Sequence, residues 1–126
     1  MSKTTEKNTE FYRITGQLGP AHATTQYTAS SGFGSTASAT LTSANDRAGR
    51  VTVTCAGTGQ GASPTLAVVY SEPYEVAPHV FCTRGGGAQA TIQFSVTTEA
   101  TTGFTATFNG TASGTEAYTF NYCVVG

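Results

Sequence analysis

The chain has 126 residues, of which 10% are charged, and its formal net charge is −1. This length favours one domain with a single hydrophobic core, and so small a net charge offers no electrostatic attraction for nucleic acid or an anionic membrane. Charged residues usually make up about a quarter of a protein, and a free monomer needs charge to stay soluble. We therefore expect much of the surface to be covered in an assembly.

No apolar run approaches the length of a membrane span, and no signal-like apolar stretch follows Met1. We expect synthesis in the cytosol and no membrane partner. The three cysteines, Cys55, Cys82 and Cys123, agree with this expectation, because an odd number does not suit a disulfide framework. Each lies in a strand-like run, where a thiol is expected to behave as a small buried apolar group.

Residues 1–35 are predicted to form an N-terminal arm and a linker. Residues 21–35 are rich in Thr, Ser, Ala and Gly and favour a linker or a long loop. Two interpretations of the apolar patch in the arm stay open. It is either a first strand that ties the terminus to the domain, or an arm that joins a neighbouring subunit or another partner. The partner-binding residues predicted in this patch are Phe11, Tyr12, Arg13 and Ile14.

Residues 36–126 are predicted to form one all-β domain, because strand-like alternation and turn signals follow one another without helical periodicity. About seven short strands favour an antiparallel β-sandwich, either immunoglobulin-like or jelly-roll-like. Pro73 and Pro78 bracket a corner that cannot lie in the centre of a sheet. The predicted strands span residues 36–42, 50–55, 65–71, 79–83, 90–97, 104–108 and 116–125.

The last of these strands is predicted to organise the domain. Large side chains alternate with small, uncharged ones along it, and successive side chains of a strand point to opposite faces. This pattern suits a strand in the middle of a sheet, with a core under one face and a packed or partner-covered surface over the other. The large side chains are Tyr118, Phe120, Tyr122 and Val124.

No residue pattern in the chain favours catalysis or a cofactor. Residues 57–62 match a GxGxxA dinucleotide pattern, but a strand follows instead of the helix whose N-terminus would hold the pyrophosphate. Neither the cysteines nor His22 and His79 show the close spacing of a structural zinc site. The few carboxylates form no pair, and no nucleophile motif is present. We therefore expect no enzyme, no metal and no cofactor.

Arg84 stands before three glycines and has two interpretations. It either presents its guanidinium to a partner carboxylate or sugar, or it is a solvated side chain in a glycine-rich hairpin loop. Farther along the chain, Asn109 and Gly110 form a strong two-residue turn signal that predicts a hairpin.

Five strand-and-turn motifs follow one another in the domain: Asp-Arg-Ala-Gly-Arg-Val-Thr-Val at 46–53, Thr-Leu-Ala-Val-Val-Tyr at 65–70, Pro-His-Val-Phe at 78–81, Thr-Gly-Phe at 102–104 and Ala-Tyr-Thr-Phe-Asn-Tyr at 117–122. Through these motifs, roughly three-quarters of the chain resembles small β-sandwich domains of tailed-bacteriophage virion proteins. Such domains occur in tail-fibre tips and in proteins that decorate the head. The resemblance implies a structural or binding role, usually as a trimer, without catalysis.

We therefore expect a virion protein, assembled in the host cytoplasm, that decorates the capsid as a homotrimer and binds the major capsid protein. In this interpretation the apolar patch of the arm contacts the shell, with Arg13 pairing to it. The alternative is a receptor-binding or glycan-binding tip of a tail fibre, with contacts from Tyr74, His79 and Arg84. The short chain favours decoration, because fibre tips normally end long chains that carry their own shaft.

Overall fold

The computed structural model describes residues 20–87 and 93–126, and it shows an all-β sandwich of eight strands in two antiparallel sheets. Two single-turn 3₁₀ helices, Thr24–Gln26 and Ser31–Phe33, flank the first strand. The strands are β1 (Tyr27–Ala29), β2 (Ser38–Thr42), β3 (Ala48–Thr54), β4 (Thr65–Val69), β5 (His79–Gly87), β6 (Gln93–Glu99), β7 (Gly103–Asn109) and β8 (Ala117–Val125).

The first sheet has the strand order β1-β4-β7-β6, and the second has the order β2-β3-β8-β5. In immunoglobulin-like sandwiches one sheet has the order A-B-E-D, and the other pairs C with F and F with G. The order A-B-E-D of the first sheet corresponds here to β1, β4, β7 and β6. In the second sheet, the strands that correspond to C and F are β5 and β8. Strand β3 lies where G would be. The predicted sandwich is confirmed, with seven strands after residue 35 and an eighth before it.

Strand β8 lies in the middle of the second sheet, between β3 and β5, as its residue pattern predicts. Its large side chains are buried, whereas Cys123 and Val125 on the other face are exposed. The rings of Phe120 and Phe94 have centroids 4.4 Å apart, and those of Tyr118 and Phe108 are 4.3 Å apart. The aromatic face of β8 therefore packs directly on the inner face of the first sheet.

The prediction of a linker over residues 21–35 is wrong. Strand β1 pairs with β4, so this segment is an edge of the first sheet. Tyr27 is buried, and Phe33 is fully buried between the two sheets, with its ring 5.8 Å from Phe108 and 6.4 Å from Tyr118. The segment belongs to the sandwich because two isolated aromatic side chains reach the core, although the residues around them show no strand periodicity.

Two turn predictions are also corrected. Strand β5 does not end at residue 83 but continues to Gly87, with a β-bulge between Arg84 and Gly86. Asn109 and Gly110 do not close a hairpin, because β7 and β8 lie in different sheets. The side-chain amide of Asn109 instead donates to Ser95 Oγ at 3.1 Å. The start of the predicted strand 90–97 and the whole of residues 1–19 lie outside the described residues.

A buried polar network joins the N-terminal segment to both sheets. His22 Nε2 lies 2.6 Å from Asp46 Oδ1, and His22 Nδ1 lies 2.7 Å from the Tyr27 hydroxyl. The Asp46 carboxylate also accepts the backbone N–H groups of Ser71 at 2.7 Å and Glu72 at 3.1 Å. Buried polar groups that are fully paired rigidify a core, so this network fixes the end of the sandwich where the described chain begins.

The two tyrosines of this network extend it to the turn between β2 and β3. The Tyr122 hydroxyl donates to Asn45 O at 2.5 Å and lies 2.9 Å from the Tyr27 hydroxyl. Burial raises the pKa of Tyr27 well above its usual range and that of Tyr122 to about 12, so both hydroxyls keep their protons at neutral pH. Because the Tyr122 hydroxyl donates to Asn45 O, the Tyr27 hydroxyl is the donor in the contact between the two tyrosines.

Replacing Tyr70 with phenylalanine is expected to stabilise the fold or leave it unchanged. The Tyr70 hydroxyl is buried and has no hydrogen-bond partner among the described residues. Leaving a buried hydroxyl unpaired costs about 1–3 kcal/mol, and Tyr70→Phe removes that cost. Urea unfolding measures the change, with Tyr122→Phe as the matched control that loses a paired hydroxyl and is expected to be destabilised. A loss of more than about 1 kcal/mol in Tyr70→Phe would show that the hydroxyl is paired.

Candidate functional site

Among the described residues, the structure brings together two of the three loop residues predicted for partner contacts. The predicted contacts at residues 11–14 lie outside the described residues. Tyr74 and His79 line the same surface hollow, so these two are brought together. Arg84 is exposed on β5 and pairs in register with Phe120, five residues from His79 along the strand. At about 3.3 Å per residue this separation is about 16 Å, so Arg84 lies outside that hollow.

An exposed apolar surface lies at the corner where β8 ends and β5 begins. Val76 is 78% exposed, Phe81 61% and Val125 53%. They account for three of the four large apolar side chains that are exposed within residues 20–87 and 93–126. Beside them is a mainly apolar hollow of about 370 Å³. We call this surface the apolar corner and define it as Tyr74, Val76, Phe81 and Val125.

The loop from residue 70 to residue 78 crosses from the first sheet to the second and positions the corner. Pro73 and Pro78 exclude it from the sheets, because a proline cannot donate to a strand ladder. Tyr74 fixes the loop, since its backbone N–H donates to Thr101 O at 2.9 Å and its hydroxyl donates to Asp46 O at 3.1 Å. Its ring also packs edge-on against Tyr70, with centroids 4.9 Å apart. The floor of the hollow is therefore rigid.

Within residues 20–87 and 93–126, the outer face of the first sheet carries no ionisable side chain. Thr97 and Thr107 join their hydroxyls across β6 and β7 at 2.9 Å. Val69, 53% exposed, is its largest apolar group. We call this surface the hydroxyl face. Its side chains come from alternate positions of the four strands and are those of Thr28, Thr65, Ala67, Val69, Gln93, Ser95, Thr97, Thr98, Thr105, Thr107 and Asn109.

The cysteines do not share one environment. Cys55 is buried, as predicted, and burial raises the pKa of its thiol. Cys82 is half-buried, and burial raises its pKa to about 12. Cys123 contradicts the prediction of a buried thiol, because it lies on the outer face of β8 and is exposed beside Phe81. The sequence signal for this exposure is the alternation of side chains along β8. The large residues occupy the inner face, so Cys123, which alternates with them, lies on the outer face.

A cleft of about 470 Å³ runs between the edge strands β5 and β6. Phe81 and Phe94 lie among its apolar side chains, and Thr83, Ser95 and Thr98 contribute hydroxyls. Glu99 bridges the two strands at one end, because its Oε2 accepts the Val80 N–H at 2.7 Å and its Oε1 lies 3.7 Å from His79 Nδ1. The Glu99 carboxylate therefore connects the edge strands β5 and β6 of the two sheets.

The other sequence patterns form no cofactor or metal site among the described residues. The glycine-rich loop between β3 and β4 has Gly57 at φ 84° and Gly59 at φ 87°, and it leads into β4 without a helix. In the part of the chain that the structure describes, no cluster of His, Cys, Asp and Glu could hold a metal ion. The same part contains no helix with the length and hydropathy of a membrane span.

The sequence reasoning missed three features: the His22–Asp46 pair, the apolar corner and the uncharged character of the hydroxyl face. The corner had a signal in the sequence, since Val76 stands between two prolines where no strand can bury it. The pair had none, because 24 residues separate its members. Comparisons with protein-family models, with curated proteins and with solved structures found no match to this chain.

Proposed function

We propose that this protein is a structural protein of a bacteriophage virion, a homotrimer that decorates the outer shell and stabilises it. The observation that carries the proposal is the hydroxyl face, which has no ionisable side chain across four strands. A free surface of this size normally carries charges for solubility. A face without them fits a contact between subunits.

The physical character of the hydroxyl face suits such a contact. The cores of protein interfaces are depleted in charged residues, and hydroxyls support the bridging waters that interfaces commonly contain. The face is also held in place from within, because the hydroxyl pair Thr97–Thr107 and the Asn109–Ser95 bond restrain its side chains. Restrained side chains lose little conformational entropy on association. We assign the self-association of the trimer to this face.

The contact with the major capsid protein is assigned to the arm, where Phe11, Tyr12 and Ile14 supply apolar surface and Arg13 a charge. Subunits that bind only the expanded shell stabilise it by mass action, because binding to one state shifts the equilibrium toward that state. Cryo-electron microscopy of virions that contain the protein tests the assignment. We expect density in groups of three on the outer shell, and density on the tail alone would contradict it.

A second candidate function is supported by the cleft between β5 and β6. An open cleft that combines the exposed ring of Phe81 with several hydroxyls and a carboxylate can bind a sugar, whose apolar face stacks on an aromatic ring. This function would place the protein at a tail-fibre tip. Binding of the isolated protein to a glycan array, lost in Phe81→Ala and retained in Thr40→Ala on strand β2, would favour it over decoration.

A further inference from the structure

The apolar corner and the sequence of the arm each contain a small group of apolar side chains. The corner exposes Val76, Phe81 and Val125. The arm contains Phe11, Tyr12 and Ile14 within four residues of an otherwise polar stretch. Removing apolar surface from water is favourable, so bringing the two sets together stabilises both.

The described chain begins at the same end of the sandwich as the corner. His22 binds Asp46 through its ring, and its backbone N–H donates to Ala44 O at 2.8 Å. The backbone oxygen of Asp46 in turn accepts the hydroxyl of Tyr74, whose ring forms part of the hollow. The contacts therefore run from His22 through Asp46 to Tyr74 in the corner. Pro20 lies two residues before His22.

The chain between the arm patch and the described residues is short. Ile14 precedes Pro20 by six residues, which span at most about 20 Å when fully extended. A short tether raises the effective concentration of a segment at a nearby surface to the millimolar range, so even weak apolar contacts suffice within one chain. A second copy of the protein would compete for the corner only at a millimolar concentration.

The charges of the two surfaces are compatible with this contact. In the arm, Glu10 precedes the apolar residues and Arg13 lies among them. Glu75 lines the hollow, and Arg47 adjoins the end of β8, where its backbone oxygen accepts the Val124 N–H at 2.7 Å. Each surface thus offers one charge of each sign.

We propose that, in the free protein, the apolar corner binds residues 11–14 of its own chain. The arm is then held on the sandwich until a shell surface displaces it. This inference goes beyond the proposed function and needs no virion, because it concerns the isolated chain. It also explains how a charge-poor protein with two apolar patches would stay soluble before assembly.

Cysteine crosslinking in the full chain tests the contact. Cys123 is an exposed native thiol on the strand face that also carries Val125. Thr15→Cys places a second thiol beside the arm patch, and Thr4→Cys places one at a matched site far from it. With diamide at pH 8, we expect a disulfide within one chain to form about tenfold faster or more for Thr15→Cys than for Thr4→Cys. Cys82 would compete little, since a thiol with a pKa of about 12 is ionised in about one molecule in ten thousand at that pH.

Two aspartate variants complete the design, because Val125 and Val69 are equally exposed, at 53%. In the Thr15→Cys chain, Val125→Asp is expected to slow the disulfide to the Thr4→Cys rate, whereas Val69→Asp on the hydroxyl face should leave it unchanged. Equal rates for Thr15→Cys and Thr4→Cys would overturn the proposal, and so would disulfides that join different chains only. Val69→Asp addresses the trimer separately, so failure of the proposed function and failure of this inference give different results.

Discussion

Asp46→Ala is expected to destabilise the protein by about 3–5 kcal/mol, which is the cost of removing one partner from a buried, hydrogen-bonded pair. The substitution leaves His22 without an acceptor, although its side chain is fully buried. It also removes the acceptor of the Ser71 and Glu72 backbone N–H groups. Because a domain of this size has a total stability of about 5–15 kcal/mol, the loss should be visible in urea unfolding as a much lower midpoint.

Glu75→Ala is the matched control for this prediction, since Glu75 is an exposed carboxylate on the neighbouring loop. Its effect should lie within about 0.5 kcal/mol, as for most surface substitutions. If Asp46→Ala and Glu75→Ala unfolded at the same urea concentration, the buried network would contribute nothing to stability, contrary to the structure described above.

Phe33→Ala is expected to cost about 3–5 kcal/mol, the usual effect of deleting a phenylalanine ring from a core. Phe33 is fully buried and its ring packs on Phe108 in the first sheet and Tyr118 in the second. The deletion would therefore leave a cavity between the two sheets. Thermal and urea unfolding of the full chain both measure the effect.

The matched variant is Phe81→Ala, which removes the same atoms from a ring that is 61% exposed. Its cost should be much smaller than that of Phe33→Ala, because the ring lies outside the core and only a surface contact is lost. A small effect of Phe33→Ala, comparable to that of Phe81→Ala, would mean that residues 21–35 are a dispensable linker after all.

The fold could be predicted wherever the sequence carries a periodic signal. Strand β8 alternates large and small side chains, so its burial and its central place followed from the pattern alone. Strand β1 has three residues and no alternation around it, so nothing local marked Tyr27 as a core residue. The hairpin predicted at Asn109 failed for a different reason: a turn signal reports local geometry, but it does not report which sheet the next strand joins.

The candidate surfaces were less predictable than the fold, because they depend on residues that are distant in sequence. The hydroxyl face combines side chains from four strands, and its lack of charge becomes evident only once their order is known. Cys123 and Val125 could have been assigned to an outer face from strand parity, since their neighbours Tyr122 and Val124 are large and point inward. The proximity of Val125 to Val76 could not have been predicted, because it depends on the loop that Tyr74 holds in place.

These surfaces together define the building block that we propose. We propose that the sandwich offers its uncharged face to its own copies and that the arm offers its apolar residues to the shell. The buried network fixes His22, near the start of the described chain. Each part of this description has a separate variant that tests it.

Sedimentation velocity of the wild-type protein and of Val69→Asp, across a range of concentrations, tests the central claim most directly. We predict a species of three chains for the wild type. In Val69→Asp the dissociation constant of the trimer should rise at least about tenfold, because a carboxylate desolvated at the centre of a contact costs more than 1.4 kcal/mol. The equally exposed control Val125→Asp should remain trimeric. A wild-type protein that stays a single chain at every concentration would contradict the claim that this fold serves as a self-assembling unit.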